Sequence, residues 1–221
     1  MAFSSLPREG GLMGNLTVRL DPGQRLFLIS DLHFGHNNIC KESFSNRPWD
    51  GAKEMDEALI RNWNETVTEK DVVFHLGDFA WFPYRKEMRK LFKQLNAATI
   101  YCILGNHDSL HGFSKTVEED PRVKVLGEEE IVYVEGLFPK TFEMYLSHCP
   151  LMTWPHRPSG VPNFFGHIHS GPRVNPDNYD LDLPLWKGLQ YDCGADNNNY
   201  RPVEIFEVLN KIGYDTSRFQ E

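Results

Sequence analysis

Two residues with metal-binding side chains follow one short apolar segment of the chain. The segment Leu26–Ile29 is followed by Asp31 and His33, a carboxylate and an imidazole with one residue between them. If strand geometry continues to these residues, their side chains point the same way, because successive residues of a strand alternate between its two faces. A carboxylate and an imidazole on one side form half of a site for a divalent transition metal. An Asp-x-His pair alone is too common to predict such a site, so the interpretation depends on the rest of the chain.

Residues of the same types follow four later segments that have the composition of a strand. In chain order these residues are Asp78, Asn106 and His107, His148, and finally His167 and His169. Taken singly, a Gly-Asp turn or a lone histidine after a strand usually has a structural role. Their repeated occurrence, always at a strand end, indicates a shared site. In an open α/β sheet, ligands bind in the crevice beyond the carboxyl ends of the strands.

Several other polar residues are not placed in this site by the pattern. Three histidines close no predicted strand, and we expect them to be structural or solvated: His75, His111 and His156. Three residues follow the first pair in a polar loop, where we expect solvation, with substrate contact as the alternative: His36, Asn37 and Asn38. We expect the side chain of Arg47, which precedes Pro48, to lie at the surface, with binding of an anion as the alternative.

The first half of the chain predicts strands that alternate with helices. Strands are predicted over residues 16–20, 26–29, 71–76 and 99–104. A helix is predicted to begin at Asp50, a suitable N-cap, and its apolar residues recur every four positions: Met55, Leu59, Trp63 and Val67. Pro83 suits the first turn of a second helix. The predicted order over residues 25–105 is therefore β-α-β-α-β.

The second half of the chain is predicted to be mainly β-structure. Short strands are predicted over residues 123–126, 131–134, 141–147 and 163–165, and the last of them follows a proline-rich loop. Residues 170–186 have the composition of a loop. A final helix is predicted from Pro202, with Gly213 after its end.

Composition limits the class of protein. The chain has 221 residues, of which 40% are hydrophobic, and this predicts a single globular domain over residues 16–221 after a flexible N-terminal arm over residues 1–15. A formal net charge of −8 disfavours avid, nonspecific binding to nucleic acid. We find no apolar run of about 20 residues for a membrane helix and no signal peptide. Four cysteines without CxxC spacing indicate reduced thiols, so we expect a cytoplasmic protein with no membrane partner.

The ordered motifs resemble those of the calcineurin-like metallophosphoesterase superfamily. That series is Asp-x-His, Gly-Asp, Gly-Asn-His-Asp/Glu, a lone histidine and Gly-His-x-His, and all five steps are present between about residues 26 and 169. The stretches LGDF, GNHD, LSHCP and DNNNYRPV are similar to those of a small, stand-alone bacterial and phage branch. The resemblance implies an α/β fold, a four-layer α/β/β/α sandwich of two mixed sheets. Phe79, Ala80 and Trp81 follow Asp78, which fits neither the serine/threonine protein phosphatases nor the purple acid phosphatases.

The resemblance also implies a role for each residue of the series. One divalent metal would be held by Asp31, His33 and His169, and a second by Asn106, His148 and His167. Asp78 would bridge the two ions, and His107 would be the catalytic histidine. Two ions about 3.5–4 Å apart can clamp both the attacking and the leaving oxygen of an in-line displacement. Ligands of these types, without thiolate, suit Mn, Fe, Ni, Co or Zn and do not select among them.

The sequence thus predicts a phosphoesterase that uses two divalent metal ions. The attacking group would be a metal-bound hydroxide, since the pKa of such a water can fall to about 7. We expect a small phosphorylated substrate such as a nucleotide, either a phosphomonoester or a phosphodiester. A nuclease is the alternative activity, and the acidic composition disfavours nucleic acid as the substrate. A non-catalytic interaction module is the alternative from another class, but such modules usually lose a ligand or the catalytic histidine. The oligomeric state is not predicted.

Overall fold

The computed structural model describes residues 15–81, 85–109, 112–113, 116, 119–174, 185 and 187–220, without the side chains of residues 85 and 86. Four sequence expectations therefore lie wholly or mostly outside the described residues: the arm over residues 1–15, the helix start at Pro83, the role of His111, and much of the loop over residues 170–186. Among the described residues, no helix is both long enough and apolar enough to cross a membrane.

The described strands form two five-stranded sheets. In chain order they are β1 Asn15–Arg19, β2 Leu26–Ile29, β3 Val72–Leu76, β4 Thr99–Ile103, β5 Val123–Gly127, β6 Glu129–Glu135, β7 Phe142–Ser147, β8 Asn163–Phe165, β9 Gln190–Asp192 and β10 Val203–Glu204. The first sheet has the order β10-β2-β3-β4-β5, and only β10 runs antiparallel to its neighbour. The second sheet has the order β1-β6-β7-β8-β9, and its one antiparallel pair is β6 with β7. Both sheets are mixed, as predicted.

Three described α-helices accompany the sheets: α1 Ala52–Thr66, α2 Arg85–Phe92 and α3 Ile205–Lys211. The four-residue spacing of Met55, Leu59 and Trp63 places one apolar stripe of α1 in the core. The indole N–H of Trp63 donates to the carbonyl of Asn96 at 2.8 Å, so this buried ring leaves no polar atom unpaired. This contact ties α1 to the turn that precedes β4.

The first sheet is buried on both faces. Phe27 and Ile29 of β2 pack in the cluster that contains the apolar faces of α1 and α2. Leu26 and Leu28 point the other way, as the two-residue period of a strand requires, and pack in a cluster shared with the second sheet. Burial on both faces explains why β2 is a continuous apolar run rather than an alternating one.

The outer face of the second sheet is packed against a loop. Ile131 of β6 and Tyr145 of β7 form a small cluster with Trp154 and Val161 of the proline-rich segment. The indole N–H of Trp154 donates to the carbonyl of Val161 at 2.8 Å, which closes the loop on itself. The α/β class and the sandwich of two mixed sheets are confirmed.

Two helix starts differ from the predictions. The N-cap of α1 is Gly51, so the prediction of Asp50 was wrong; the carboxamide oxygen of Asn37 accepts the N–H of Ala52 instead. The last helix begins at Ile205 rather than at Pro202, because Val203 and Glu204 pair antiparallel with β2 and are thereby held in extended conformation.

Candidate metal centre

The sequence-predicted site residues meet where strands of the two sheets end. The turns after β2 and β3 are joined by backbone bonds, from Asp31 N to Gly77 O and from His33 N to Asp78 O, both 3.0 Å. The second sheet is attached at the same place, because the N–H of His167 donates to Oδ2 of Asp31 at 2.9 Å. Residues far apart in the chain therefore present their side chains to one cleft.

One group consists of Asp31, His33 and His169. All three are buried, and one potential ligand atom from each lies within 4.8 Å of the others. Oδ1 of Asp31 and both ring nitrogens of His33 are buried, and no described residue offers them a hydrogen bond. Unpaired polar atoms in a protein interior are costly and therefore uncommon. A divalent cation would satisfy Oδ1 of Asp31 and one ring nitrogen of His33, so the donor set fits the metal implied by the motif series.

A second group consists of Asp78, His148 and His167, whose potential ligand atoms also lie within 4.8 Å of one another. Nδ1 of His148 lies 2.8 Å from the carbonyl oxygen of Leu76 and donates to it, which turns Nε2 toward the cleft. The carboxamide oxygen of Asn106 is 3.0 Å from that Nε2. The residues assigned to the second ion by resemblance are thus brought together as well.

Asp78 belongs to the second group and also lies close to the first. Its Oδ2 is 3.5 Å from Nε2 of His33 in the first group and 3.4 Å from Nε2 of His148 in the second. Burial alone would raise the pKa of Asp78, but the interactions with His148 and with the N–H of His107 outweigh burial and lower it. A carboxylate that stays ionised at this position can face two cations at once.

The histidine pKa values follow from the same arrangement. Burial lowers the pKa of His33 well below its ordinary value, and the charges of His169 and Arg47 add to the effect. Burial also opposes protonation of His148, but Asp78 and Asp31 outweigh it and raise the pKa of His148 to about 9. A metal ion held by Nε2 would compete with this proton, because a histidine binds metal in its neutral form.

The backbone of the site is strained. Five site residues have φ angles in the left-handed region: Asp31 (57°), His33 (51°), Asp78 (57°), His167 (72°) and His169 (47°). Such conformations cost of order 1–3 kcal/mol each in a residue other than glycine and cluster at functional sites. The same turns direct the five side chains into one cleft, so these strained conformations bring the potential ligands together.

Asp108 holds the turn that carries Asp78. Its carboxylate accepts the backbone N–H groups of Asp78 at 2.7 Å, Phe79 at 3.1 Å and Gly105 at 3.0 Å. Burial raises the pKa of Asp108 to about 6 despite these bonds. Asp108 therefore joins the loop after β3 to the loop after β4.

Close approach explains two glycines of the motif series. A Cβ on Gly77, whose φ is +102°, would overlap Nδ1 of His148 and the backbone of Gly105. A Cβ on Gly166 would overlap Oγ of Ser30 and Oδ2 of Asp31. At each of these positions the backbone lies against a side chain of the site, and there is no room for a Cβ atom.

The prediction of a surface position for Arg47 was wrong. Its guanidinium is fully buried and donates to both carboxylate oxygens of Asp196, at 3.0 and 2.8 Å. It also donates to the carbonyl oxygens of Asp31 at 2.6 Å and Leu32 at 2.8 Å. A buried guanidinium with four acceptors is explained by pairing rather than by solvation.

Asp196 is also part of the site, although its place in the sequence did not lead us to predict this. Oδ2 of Asp196 lies 2.7 Å from Nδ1 of His169. Burial would raise the pKa of Asp196, but Arg47 and His169 hold it well below its usual range. A signal was present, because Asp196 follows β9 and begins the stretch DNNNYRPV. The bond from Ala195 N to Ser30 O at 2.9 Å places that stretch beside the end of β2.

The remaining polar residues differ in their placement. His36 is buried and stacks on Trp81, so the expectation of solvation was wrong for it. Asn37 and Asn38 are exposed, as expected. His75 is fully buried and belongs to neither group, and His156 is exposed and paired with Glu143.

Comparison with known proteins identifies the family. The family model described as "Calcineurin-like phosphoesterase" matches residues 24–196, the span that contains both groups. The chain belongs to the calcineurin-like phosphoesterase family. As a member of that family, it carries the full motif series on the strand ends described above.

Relatives of this calcineurin-like phosphoesterase are small proteins of similar length. An uncharacterized protein of Methanocaldococcus jannaschii is 40% identical over 190 residues, covering 86% of this chain and 92% of that protein. The gene 66 protein of Mycobacterium phage D29 is 27% identical over 187 residues, covering 74% of this chain and 90% of the phage protein. The predicted resemblance to a stand-alone branch is confirmed.

A solved structure shares the fold. The crystal structure of a protein of unknown function from Aquifex aeolicus superposes with a TM-score of 0.59 at 21% identity, covering 86% of this chain and all of that one. At this identity the likeness supports the fold alone.

Proposed function

We propose that this protein hydrolyses a phosphomonoester or phosphodiester bond with two divalent metal ions bound at the centre. The observation that carries the proposal is the position of Asp78, with Oδ2 within 3.5 Å of a ring nitrogen from each group. In this arrangement Asp31, His33 and His169 would hold one ion, Asn106, His148 and His167 the other, and Asp78 both. When bound, such ions polarise a phosphoryl group and lower the pKa of water to near neutrality.

The chain's own residues supply the orientation on which such chemistry depends. The Leu76 carbonyl fixes the ring of His148, and the Asp196 carboxylate fixes the ring of His169. Partners of this kind hold a histidine in one tautomer and one orientation. Buried surroundings around Asp31 and His33 exclude water from this side of the cleft.

We infer that His107 donates a proton to the leaving oxygen. Its side chain is 38% exposed, and its Nε2 lies 3.9 Å from Oδ2 of Asp78, outside hydrogen-bond range. Its backbone N–H donates to Oδ1 of Asp78 at 2.9 Å, which keeps the residue beside the centre. A positioned histidine that transfers a proton contributes about 10²–10⁴-fold to a rate.

The proposal is tested with a substrate screen on manganese-loaded protein. Phosphomonoesters, cyclic diesters and linear diesters are compared, each with and without a chelator. We expect hydrolysis of at least one class and its loss on chelation. His156→Ala serves as a control variant that should keep the activity, because it removes an exposed histidine outside both groups. Full occupancy by metal without hydrolysis of any ester would refute the proposal and favour a non-catalytic role.

A further inference from the structure

Aromatic rings line one side of the cleft next to His107. Trp81 stacks on His36, with ring centroids 4.1 Å apart and planes 8° apart. Phe44 meets the ring of His36 edge to face at 5.9 Å. We refer to Trp81, His36 and Phe44 as the aromatic wall. It begins at the proposed proton donor, because the Trp81 and His107 rings are 4.7 Å apart.

The aromatic wall is anchored to the strand ends. The N–H of Trp81 donates to the carbonyl of Phe34 at 2.8 Å, next to the β-bridge between Phe34 and Ala80. The N–H of Gly35, directly before His36, donates to the carboxylate of Asp56 in α1 at 2.9 Å. The same backbone that positions His33 and Asp78 therefore positions the wall.

Exposure distinguishes the wall from an ordinary part of the core. Trp81 is 47% exposed and Phe44 is 39% exposed, although both contact the buried ring of His36. Single exposed apolar residues are normal on a protein surface. Here two large exposed rings share contact with His36 at the edge of a polar cleft, which is the composition of a ligand site with an apolar wall and a few convergent polar groups.

We propose that the aromatic wall stacks against a planar aromatic group of the substrate, a nucleobase or another aryl group, while the phosphate lies at the metal centre. The inference rests on the proposed function, since the centre is what places the phosphate. Stacking of a base on an aromatic side chain is worth about 10-fold or more in affinity. A net charge of −8 favours a small ester over a polyanion as the ligand.

Binding of non-hydrolysable ligands tests the wall without relying on turnover. The ligands are the phosphonate analogues of adenosine 5′-monophosphate and methyl β-ribofuranoside 5-phosphate, in which carbon replaces the bridging oxygen, so that the base is replaced by a methoxy group on the same closed sugar ring. Calorimetry on manganese-loaded protein should show about 10-fold or more tighter binding of the adenosine compound. Trp81→Ala should remove most of that preference, and Trp81→Phe should keep the larger part.

Matched controls separate stacking from general damage. Phe206→Ala removes an aromatic side chain of α3 with similar exposure, 45%, and should leave the preference unchanged. Benzylphosphonate against methylphosphonate repeats the comparison for a simple aryl group. A preference for the aromatic ligand in either pair, lost in Trp81→Ala, supports the proposal and identifies which ring the wall accepts.

The outcomes distinguish this inference from the proposed function. Equal affinities within both pairs, or a preference that survives in Trp81→Ala, would overturn the role of the wall. A clear preference in binding without hydrolysis of any ester in the screen would refute the phosphoesterase proposal alone and leave the wall as a ligand site.

Discussion

The carboxylate of Asp196 lies 2.7 Å from Nδ1 of His169, and both oxygens of the same carboxylate accept bonds from Arg47. The bond to Asp196 engages Nδ1, so Nε2 is the ring nitrogen through which His169 would hold a metal ion. One buried ion pair thus fixes a side chain proposed to hold metal. Carboxylates that orient a ligating histidine typically affect metal affinity by 10–100-fold.

Asp196→Asn should therefore weaken metal binding at the first group by about 10–100-fold. The second group should keep its affinity, because the histidine that Asp196 orients belongs to the first group. Titration with manganese against a competing chelator measures both. Asp120→Asn is the matched control, because Asp120 is also a buried carboxylate paired with an arginine, Arg122, outside the centre. Equal weakening by the two substitutions would contradict the role of Asp196.

Arg47→Ala should strongly destabilise the fold even without metal. Removing one partner of a buried ion pair leaves the other charge uncompensated, which typically costs about 3–5 kcal/mol. Urea denaturation in the presence of a chelator measures this free energy. Arg122→Ala should cost less, since the side chain of Arg122 is 30% exposed and water can solvate the remaining Asp120. A smaller loss in Arg47→Ala than in Arg122→Ala would show that Asp196 does not depend on its buried partner.

Asp78→Asn should weaken both metal sites together, whereas His33→Ala should mainly empty one. The reason is the position of Asp78 between the groups, with its Oδ2 close to nitrogens of both. Metal content of the purified variants, counted by mass spectrometry, distinguishes the two patterns. Two bound ions and normal activity in Asp78→Asn would exclude a bridging role.

His107→Ala should retain both metals and lose more activity on alkyl phosphates than on nitrophenyl phosphate. A poor leaving group depends on protonation of its oxygen, and nitrophenolate does not. The expected loss on alkyl esters is about 10²–10⁴-fold. An equal loss on both substrates would restrict His107 to electrostatic positioning, and loss of metal would show that it is a ligand.

The stability of the chelated protein should depend on His75 between pH 3 and pH 6.5. Burial lowers the pKa of His75 to about 3, whereas in the unfolded chain it stays near 6.5. In this range the unfolded state binds the extra proton, so the free energy of unfolding rises with pH, by up to about 1.4 kcal/mol per unit for one proton. Above pH 6.5 the contribution of His75 is constant.

The variant His75→Gln isolates the contribution of the His75 proton, because glutamine does not titrate. Glutamine can still accept the N–H of Gly77, which lies 3.3 Å from Nδ1 of His75. The unfolding free energy of the wild type minus that of the variant should fall as the pH is lowered from 6.5. A difference that is constant with pH would show that His75 is accessible to protons in the folded state.

The strand ends of the centre could be predicted from the sequence because each is a local signal. An apolar run such as Leu26–Ile29 followed by a polar pair specifies both a strand and where it stops. Residues such as Asp31 and Asp78 could be placed in one site because β2 and β3 run parallel and end at the same edge of one sheet.

The partners of the ligands could not be predicted in the same way. The pairing of Arg47 with Asp196 depends on tertiary packing, and composition alone makes an arginine before a proline look solvated. The start of α3 was misjudged for a similar reason: Val203 fits a helical period, but pairing with β2 holds it in a strand. Local pattern is outweighed there by a contact with a distant part of the chain.

The ion pair of Arg47 and Asp196 also has a consequence for biosynthesis. It joins positions 149 residues apart in the chain, and the first group needs His169 as well as Asp31. A nascent chain emerging from the ribosome presents Asp31 and His33 long before the residues that complete and orient their site have been translated. Long-range contacts of this kind form late. The centre is therefore assembled after most of the polypeptide has been synthesised, and a truncated translation product that ends before Asp196 has a first group without its orienting carboxylate.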